Sequence, residues 1–364
     1  MSAAPDLRAL ARDALAGAEA WVVGGAVRDE LLGRPLLDLD IACADPARAA
    51  RLAARASGGS PFPLSERHGA WRVVLADGRT VDFTPLAGPL LDDLAARDCT
   101  VNAVATPLAG GPPVDPHRGL DDLRAGVLRL VSEGALDADP VRLLRAVRFE
   151  DELGLRLEPG SEAAVRARVA LVALPAGERI LGELRRLSTW GWRRLDELGL
   201  LAGLGGSAAG IERLPAGDTP GAATAGSSGA ATSHSAELLL VAALGEALLR
   251  LPISNEQRRH AVTLLRATLP ADGSARAIHR FRRATEPWAL DALALLGAPA
   301  GLAVAVERAR AAEPAEPLLR GDELCLLPGP EIGRILALID EERAVGTITS
   351  RDEALALARR EGAR

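Results

Sequence analysis

Two carboxylates one residue apart, Asp38 and Asp40, follow a glycine pair, Gly24-Gly25, with Arg28 and Asp29 in between. The run Asp38-Leu39-Asp40-Ile41-Ala42 alternates polar and apolar, which predicts a strand. Residues i and i+2 of a strand face one way, so both carboxylates project together while Leu39 and Ile41 turn to a core. Like charges so placed repel unless a cation lies between them. A hard divalent ion with oxygen ligands, most simply Mg2+, suits the pair. The glycines let backbone N–H groups approach an anion closely. A metal ion beside a phosphate cradle is the equipment of phosphoryl or nucleotidyl transfer. Taken singly, an Asp-x-Asp is a common solvated strand end and a Gly-Gly a common turn. Together, at helix-length separation, they favour chemistry.

A third acid, Asp82, lies in the strand-like run Thr80-Val81-Asp82-Phe83-Thr84. The turn Ala76-Asp77-Gly78-Arg79 joins that run to Trp71-Arg72-Val73-Val74-Leu75 as a hairpin. Laid beside the Asp38/Asp40 strand, the hairpin brings three carboxylates to one site, which suits two-metal catalysis: one ion for the attacking hydroxyl, one for the triphosphate. By itself Asp82 reads as an exposed strand residue. Further on, Asp139 and Arg142 stand at i and i+3, a spacing that on a helix puts both on one face. Alone this is an ordinary surface ion pair; as function, an Asp acceptor and an Arg donor can pair with the edge of a base.

The elements that must hold these residues alternate in type. A helix over 7–17, a strand at 21–23, a helix over 26–32 and the turn 33–35 lead into the carboxylate strand, 37–42. A helix over 46–56 and the hairpin complete an α+β region. From Asp139 onward the periodicity is helical, as in Val141, Leu144 and Val147, and strand signals fade. Residues 203–234, rich in Gly, Ala, Ser and Thr, read as a flexible insertion. Helices resume over 236–312. A last module, 318–364, contains the loop-like Leu327-Pro328-Gly329-Pro330, and its final helix starts at Ser350 with Glu353 completing a capping box.

Composition narrows the chemistry. The 364 residues allow two or more domains. The 43 basic residues are all arginine. Without lysine there is no Schiff base, P-loop lysine or Ser-Lys dyad, so phosphate must be held by Arg, backbone amides and metal. Cys43, Cys99 and Cys325 form no metal spacing or disulfide framework. No apolar run is long enough to span a bilayer, and the N-terminus lacks a signal-peptide pattern, so a cytoplasmic protein with no membrane partner is expected. The net charge of −6 argues against indiscriminate coating of nucleic acid. The arginine-rich stretch Arg258–Arg283, including Arg280, Arg282 and Arg283, is the candidate surface for RNA phosphates. No His-Asp pair or His cluster marks the helical half, which discounts a phosphohydrolase there.

Five ordered motifs resemble those of the class II tRNA nucleotidyltransferases, the CCA-adding enzymes, and their bacterial poly(A) polymerase relatives. They are Gly24-Gly25-x-Val27-Arg28-Asp29 with Asp38-x-Asp40; Arg97-Asp98-x-Thr100-x-Asn102-Ala103; Asp115-Pro116-x-x-Gly119; Asp139-Pro140-x-Arg142-x-x-Arg145-Ala146-x-Arg148-Phe149; and Glu178-Arg179-Ile180 with Glu183-Leu184. Leu319-Arg320-Gly321-Asp322 and Gly329-Pro330-Glu331-Ile332-Gly333 look like the family's tail.

The resemblance implies an α+β, polymerase β-type nucleotidyltransferase head over 1–133, then an all-helical remainder. That remainder would be a neck with the base-selecting helix over 134–200, the insertion over 201–235, a body over 236–317 and a tail over 318–364. It implies Mg2+ on Asp38 and Asp40, with Asp82 as the third catalytic carboxylate. Gly24, Gly25 and Arg28 would contact the triphosphate, Arg97, Asp98 and Asn102 the sugar and phosphates, and Asp139, Arg142 and Arg145 would select the base. The implied partners are the 3′ end of tRNA, CTP and ATP. The chain departs from the family pattern at Ala87, Ala96, Cys99 and Ala138, and its Thr84–Asp93 segment is short. Short forms resemble enzymes that add only CC. Full CCA addition, CC or A alone, poly(A) synthesis and a catalytically inactive RNA-binding homologue all remain open at this point.

Overall fold

The computed structural model describes residues 6–15, 17–65, 69–86, 88–215, 234–324 and 329–362. These fall into two compact units, one over 6–203 and one over 204–215 and 234–362.

The first unit begins with α1 (Leu7–Leu15), β1 (Ala20–Val23), α2 (Gly25–Leu31), β2 (Asp38–Cys43) and α3 (Pro46–Ser57). Next come β3 (Ser60–Ser65), β4 (Ala70–Val74), β5 (Thr80–Pro85), α4 (Leu90–Ala95), β6 (Ala105–Pro107), α5 (Gly119–Ala125) and β7 (Val127–Leu128). It closes with α6 (Gly134–Ala138), α7 (Arg142–Leu153), β8 (Arg156–Leu157), α8 (Pro159–Ala167), α9 (Gly177–Leu184), α10 (Thr189–Glu197) and α11 (Leu200–Gly203). The main sheet runs β3-β4-β5-β2-β1-β6. β2 and β5 are parallel, and every other pairing in this sheet is antiparallel.

The alternation on β2 is realised. Leu39 and Ile41, with Val22, Val81 and Phe83, form a dry face against Leu7, Leu10 and Ala11 of α1 and Ala49, Ala50 and Ala53 of α3. Burying a side chain such as Leu39, Ile41 or Phe83 contributes about 1.5–3 kcal/mol each. The opposite face carries Asp38, Asp40 and Asp82, and Asp40 is the register partner of Asp82. β3 has no sequence signal, since Pro61 and Pro63 interrupt it; it is an edge strand, where a missing N–H costs no ladder bond.

Asp139 and Arg142 do not share a helix. α6 ends at Ala138, Asp139 is extended (φ −148°, ψ 93°), and α7 starts at Arg142. The cause is Pro140, whose ring disfavours helical backbone in the residue before it. The third motif is a packing device. Asp115 accepts hydrogen bonds from the backbone N–H of Gly119 (2.7 Å) and Leu120 (2.9 Å) at the start of α5. Gly119 abuts the 3-10 turn Thr100–Asn102 so closely that a Cβ would lie 2.0 Å from the Thr100 carbonyl oxygen.

The second unit is helical: α12 (Ala209–Arg213), α13 (Ala236–Leu244), α14 (Asn255–Arg266), α15 (Ala275–Thr285), α16 (Ala289–Leu295), α17 (Ala300–Ala311), α18 (Pro330–Val345) and α19 (Arg351–Gly362). Serines cap α13, α14 and α15, and the expected Ser350/Glu353 box starts α19. The sheet and the helices through α11 fall in one compact unit. At the start of the expected insertion, Leu201 and Ile211 are fully buried in short helices. The rest of that segment, 216–233, lies outside the described residues, as do Ala87, Cys325 and Leu327-Pro328. A His-Asp pair does exist: His260 Nε2 lies 3.0 Å from Asp291 Oδ2, beside the Trp288 ring. The two residues are far apart in sequence, and His260 is buried between helices. No metal-holding group of three His, Cys, Asp or Glu includes them among the described residues.

Gly119→Ala is expected to destabilise the first unit by about 1–3 kcal/mol, because the clash is with backbone that must shift. Urea unfolding measures it; an unchanged midpoint would contradict the close approach.

Candidate active site

A cavity of about 510 Å3 opens on the carboxylate face of the sheet. It is lined by Gly24, Gly25, Arg28 and Asp29, by Asp38 and Asp40, by Arg97, Asp98 and Asn102, and by Asp139, Arg142, Arg145 and Phe149. Eleven of the twelve expected site residues therefore meet here; Asp82 does not line the cavity. Arg148 and Arg186 add further guanidinium groups to the wall.

The glycine pair works through close approach. Gly24 has φ +71°, and a Cβ there would lie 3.2 Å from Asp40 Oδ2 and 3.4 Å from Arg97 Nη1. Gly25 then opens α2, which carries Arg28 into the wall. Arg28 donates to both oxygens of Asp29 (3.0 and 2.9 Å) and to Asn102 Oδ1 (2.5 Å). Asn102 Nδ2 donates in turn to Asp98 Oδ1 at 2.9 Å. Arg145 closes the chain with two bonds to Asp98 Oδ2, 2.9 Å from Nε and 2.7 Å from Nη2. The guanidinium carbons of Arg28 and Arg145 lie 5.5 and 5.2 Å from the centre of the Phe149 ring, within cation–π range. Burial alone would raise the Asp98 carboxyl, but the Arg145 charge, the Asn102 amide and the Cys99 N–H hold it below the usual carboxylate range.

The base-reading candidates are anchored from outside their own pair. Arg142 donates to the backbone carbonyls of Ala96 (2.8 Å), Arg97 (3.4 Å) and Ala135 (3.3 Å), so it is docked on the C-terminal end of α4. Asp139 accepts from Arg179 through both oxygens, at 2.9 and 2.7 Å. Burial pushes the Asp139 carboxyl up, but the Arg179 bonds and the charges of Arg179 and Arg142 hold it below its ordinary range.

Asp82 departs from the expected triad. It sits beside Asp40 in register, yet Arg72 on β4 holds both its oxygens at 2.7 Å. This pairing was legible: the hairpin register that sets Val74 opposite Thr80 also sets Arg72 opposite Asp82. Among the described residues no three metal-ligating side chains converge. The acids at the cavity therefore divide into two classes. Asp29, Asp98 and Asp139 each have an arginine, as does Asp82, while Asp38 and Asp40 have no ion pair among the described residues. Asp38 accepts only from Thr80 Oγ1, at 2.6 Å. Burial, the charge of Asp82 and the charge of Asp38 push the Asp40 carboxyl up to about 6, against the pull of Arg97 and Arg72. The donor set fits Mg2+, which is usually held by one or two carboxylates completed by substrate phosphates.

The arginine-rich helix of the second unit is largely neutralised. Glu341 binds Arg276 and Arg280, while Glu286 and Glu313 bind Arg282. Neither Arg280 nor Arg282 is therefore available to track phosphate without breaking a pair, whereas Arg283 has no ion pair among the described residues.

A raised Asp40 means that the native state binds this proton more tightly than the unfolded chain. The carboxylate therefore opposes folding above about pH 6, and its penalty fades as pH falls below that value. In chelator, Asp40→Asn is expected to raise unfolding free energy at pH 8 by roughly 1–3 kcal/mol, with a smaller gain at pH 5. A difference that does not change with pH in urea titrations would contradict the assigned charge.

Residues 20–85 match the poly A polymerase head domain family. An A-adding tRNA nucleotidyltransferase from Deinococcus radiodurans is 34% identical over 416 residues, which covers 94% of this chain and 95% of that protein. A CC-adding tRNA nucleotidyltransferase from Geobacter sulfurreducens is 43% identical over 174 residues, 47% of this chain and 40% of that protein. The crystal structure of the Bacillus stearothermophilus CCA-adding enzyme in complex with CTP superposes with a TM-score of 0.73 at 27% identity, covering 98% of this chain and 97% of that one. The identity to the Deinococcus enzyme runs through both units, and the head match spans the strands that carry Asp38, Asp40 and Asp82; the chain belongs to the tRNA nucleotidyltransferase family of enzymes.

Proposed function

We propose that this enzyme transfers CMP, AMP or both from CTP and ATP to the 3′ end of tRNA with release of pyrophosphate, using Asp38 and Asp40 as Mg2+ ligands. One observation carries the reading: in a cavity walled by arginines, these two acids alone among the described lining acids have no ion pair. Mg2+ bound there would ease deprotonation of the attacking hydroxyl and offset charge on the phosphates. The chain's own residues supply the rest. Gly24 and Gly25 admit the triphosphate close to the backbone. Arg28 keeps two guanidinium hydrogens unused by its bonds to Asp29 and Asn102, and these face phosphate oxygens. Arg97, beside Asp40, adds positive charge where pyrophosphate departs. Asp98 has its oxygens occupied by three donor groups, so it serves to hold Arg145 and Asn102 rather than to touch the sugar. Asp82 tunes Asp40 from beside it and is not a primary ligand while Arg72 holds it.

Asp139 and Arg142 read the base. Asp139 accepts from the exocyclic amine of C or A, and Arg142 donates through hydrogens its carbonyl bonds leave free. A restricted product is the second reading. The connection between β5 and α4 is confined to residues 86–89, and short forms of that segment resemble CC-only enzymes. Whole-length likeness to an A-adding enzyme supports A alone, and higher identity over half the chain to a CC-adding enzyme supports CC.

Asp40→Ala is expected to cut incorporation about a thousandfold or more, since charge stabilisation by metal is worth several kcal/mol, while leaving the circular dichroism spectrum intact. Near-normal incorporation by the folded variant would overturn the reaction assignment. Supplying tRNAs that end before C, after C and after CC, with CTP and ATP singly and together, identifies the product. Long A tails on unrelated RNA would indicate poly(A) synthesis instead.

A further inference from the structure

Asp139, in the extended link between α6 and α7, and Arg179 on α9 meet as a two-bond fork, with no other side chain bonded to either carboxylate oxygen among the described residues. The pair is not buried: the Arg179 side chain is 53% exposed and that of Asp139 28%. Exposed pairs of this kind contribute little to stability. What a planar fork does supply is geometry, because both N–H vectors must lie in the carboxylate plane. A carboxylate is otherwise nearly free to rotate about its last torsion. After accepting from Arg179 and from the Val141 backbone N–H, the Asp139 carboxylate still keeps an acceptor position.

This matters for which bases fit. An ionised carboxylate is acceptor-only, whereas a protonated or rotated one can present a donor or move aside. Cytosine and adenine offer an amine at the edge read by an acceptor; uracil and guanine offer a carbonyl there. We propose that Arg179 is a positioning residue for nucleotide choice: by clamping Asp139 in one plane as an acceptor, it admits bases with an exocyclic amine and excludes those with a carbonyl. Arg142 is fixed in parallel by backbone carbonyls, so each of the two readers is oriented by a partner outside the reading pair. The inference rests on the base-reading role given to Asp139 above. Arg179 itself does not line the cavity.

The experiment compares wild type, Arg179→Ala, Arg179→Lys and Asp139→Ala with a tRNA acceptor and each of CTP, ATP, UTP and GTP. It reads kcat/KM for the preferred nucleotide relative to UTP. For Arg179→Ala the ratio is expected to fall about tenfold or more, the scale of one well-made base contact. Arg179→Lys keeps the charge but not the fork, and should recover only part of the ratio. Rates that drop equally for all four nucleotides, or a wild-type ratio in Arg179→Ala, would overturn the positioning role. A wild-type ratio in Asp139→Ala would overturn the base-reading assignment itself. Loss of the ratio in Asp139→Ala but not in Arg179→Ala would remove Arg179 alone.

Discussion

Asp38 and Asp40 leave β2 on the same side, and neither has an ion pair among the described residues, although the charges of Arg97 and Arg72 reach Asp40. Every other acid at the cavity is held by a guanidinium, and the lack of lysine makes those partners planar forks rather than mobile point charges. Around the two carboxylates the other acids are ion-paired, while at the centre the balance is left to whatever cation arrives. The raised pKa of the Asp40 carboxyl is the energetic record of that imbalance.

Strain of this kind is tolerable because the reverse of the sheet is so apolar. Leu39 and Ile41 alternate with the two acids, and both are fully buried against α1 and α3. A slip of one residue in register would send the carboxylates into that core and the leucine and isoleucine to water, so the arrangement that exposes the acids is also the one that holds the fold. Gly24 belongs to the same constraint: its positive φ and the nearness of Asp40 leave no room for a side chain.

The sheet and α7 are joined by polar contacts rather than by a hydrophobic seam alone. Arg145 on α7 binds Asp98 in the loop after α4, and Arg142 caps the end of α4 itself. Phe149 packs between Arg28 of α2 and Arg145 of α7. Removing one member of a buried pair such as Asp98–Arg145 strands a charge, which typically costs about 3–5 kcal/mol. That coupling explains why the sheet and the helices as far as α11 form one unit, although the sequence motifs read as separate blocks.

Local pattern was enough for much of this protein. The i, i+2 spacing of Asp38 and Asp40, the turn at Ala76–Arg79, the Ser350 cap and the order of the motifs were legible because each depends on neighbours in the chain. They determined the α+β head, the helical remainder and the class of reaction. Other features escaped because their partners are distant or their local signal is contrary. β3 hides behind two prolines that only its edge position permits, and His260 finds Asp291 across two helices. Pro140 was in plain view, and its effect on Asp139 outweighed the helical spacing. Tertiary structure alone decided that Asp98 is bound by Arg145 and Asp139 by Arg179. It also decided that the hairpin pairs alongside β2, so that Asp82, already held by Arg72, lies next to Asp40. Periodicity along a chain specifies which way a side chain points, whereas the state of its charge is set by what the fold brings opposite.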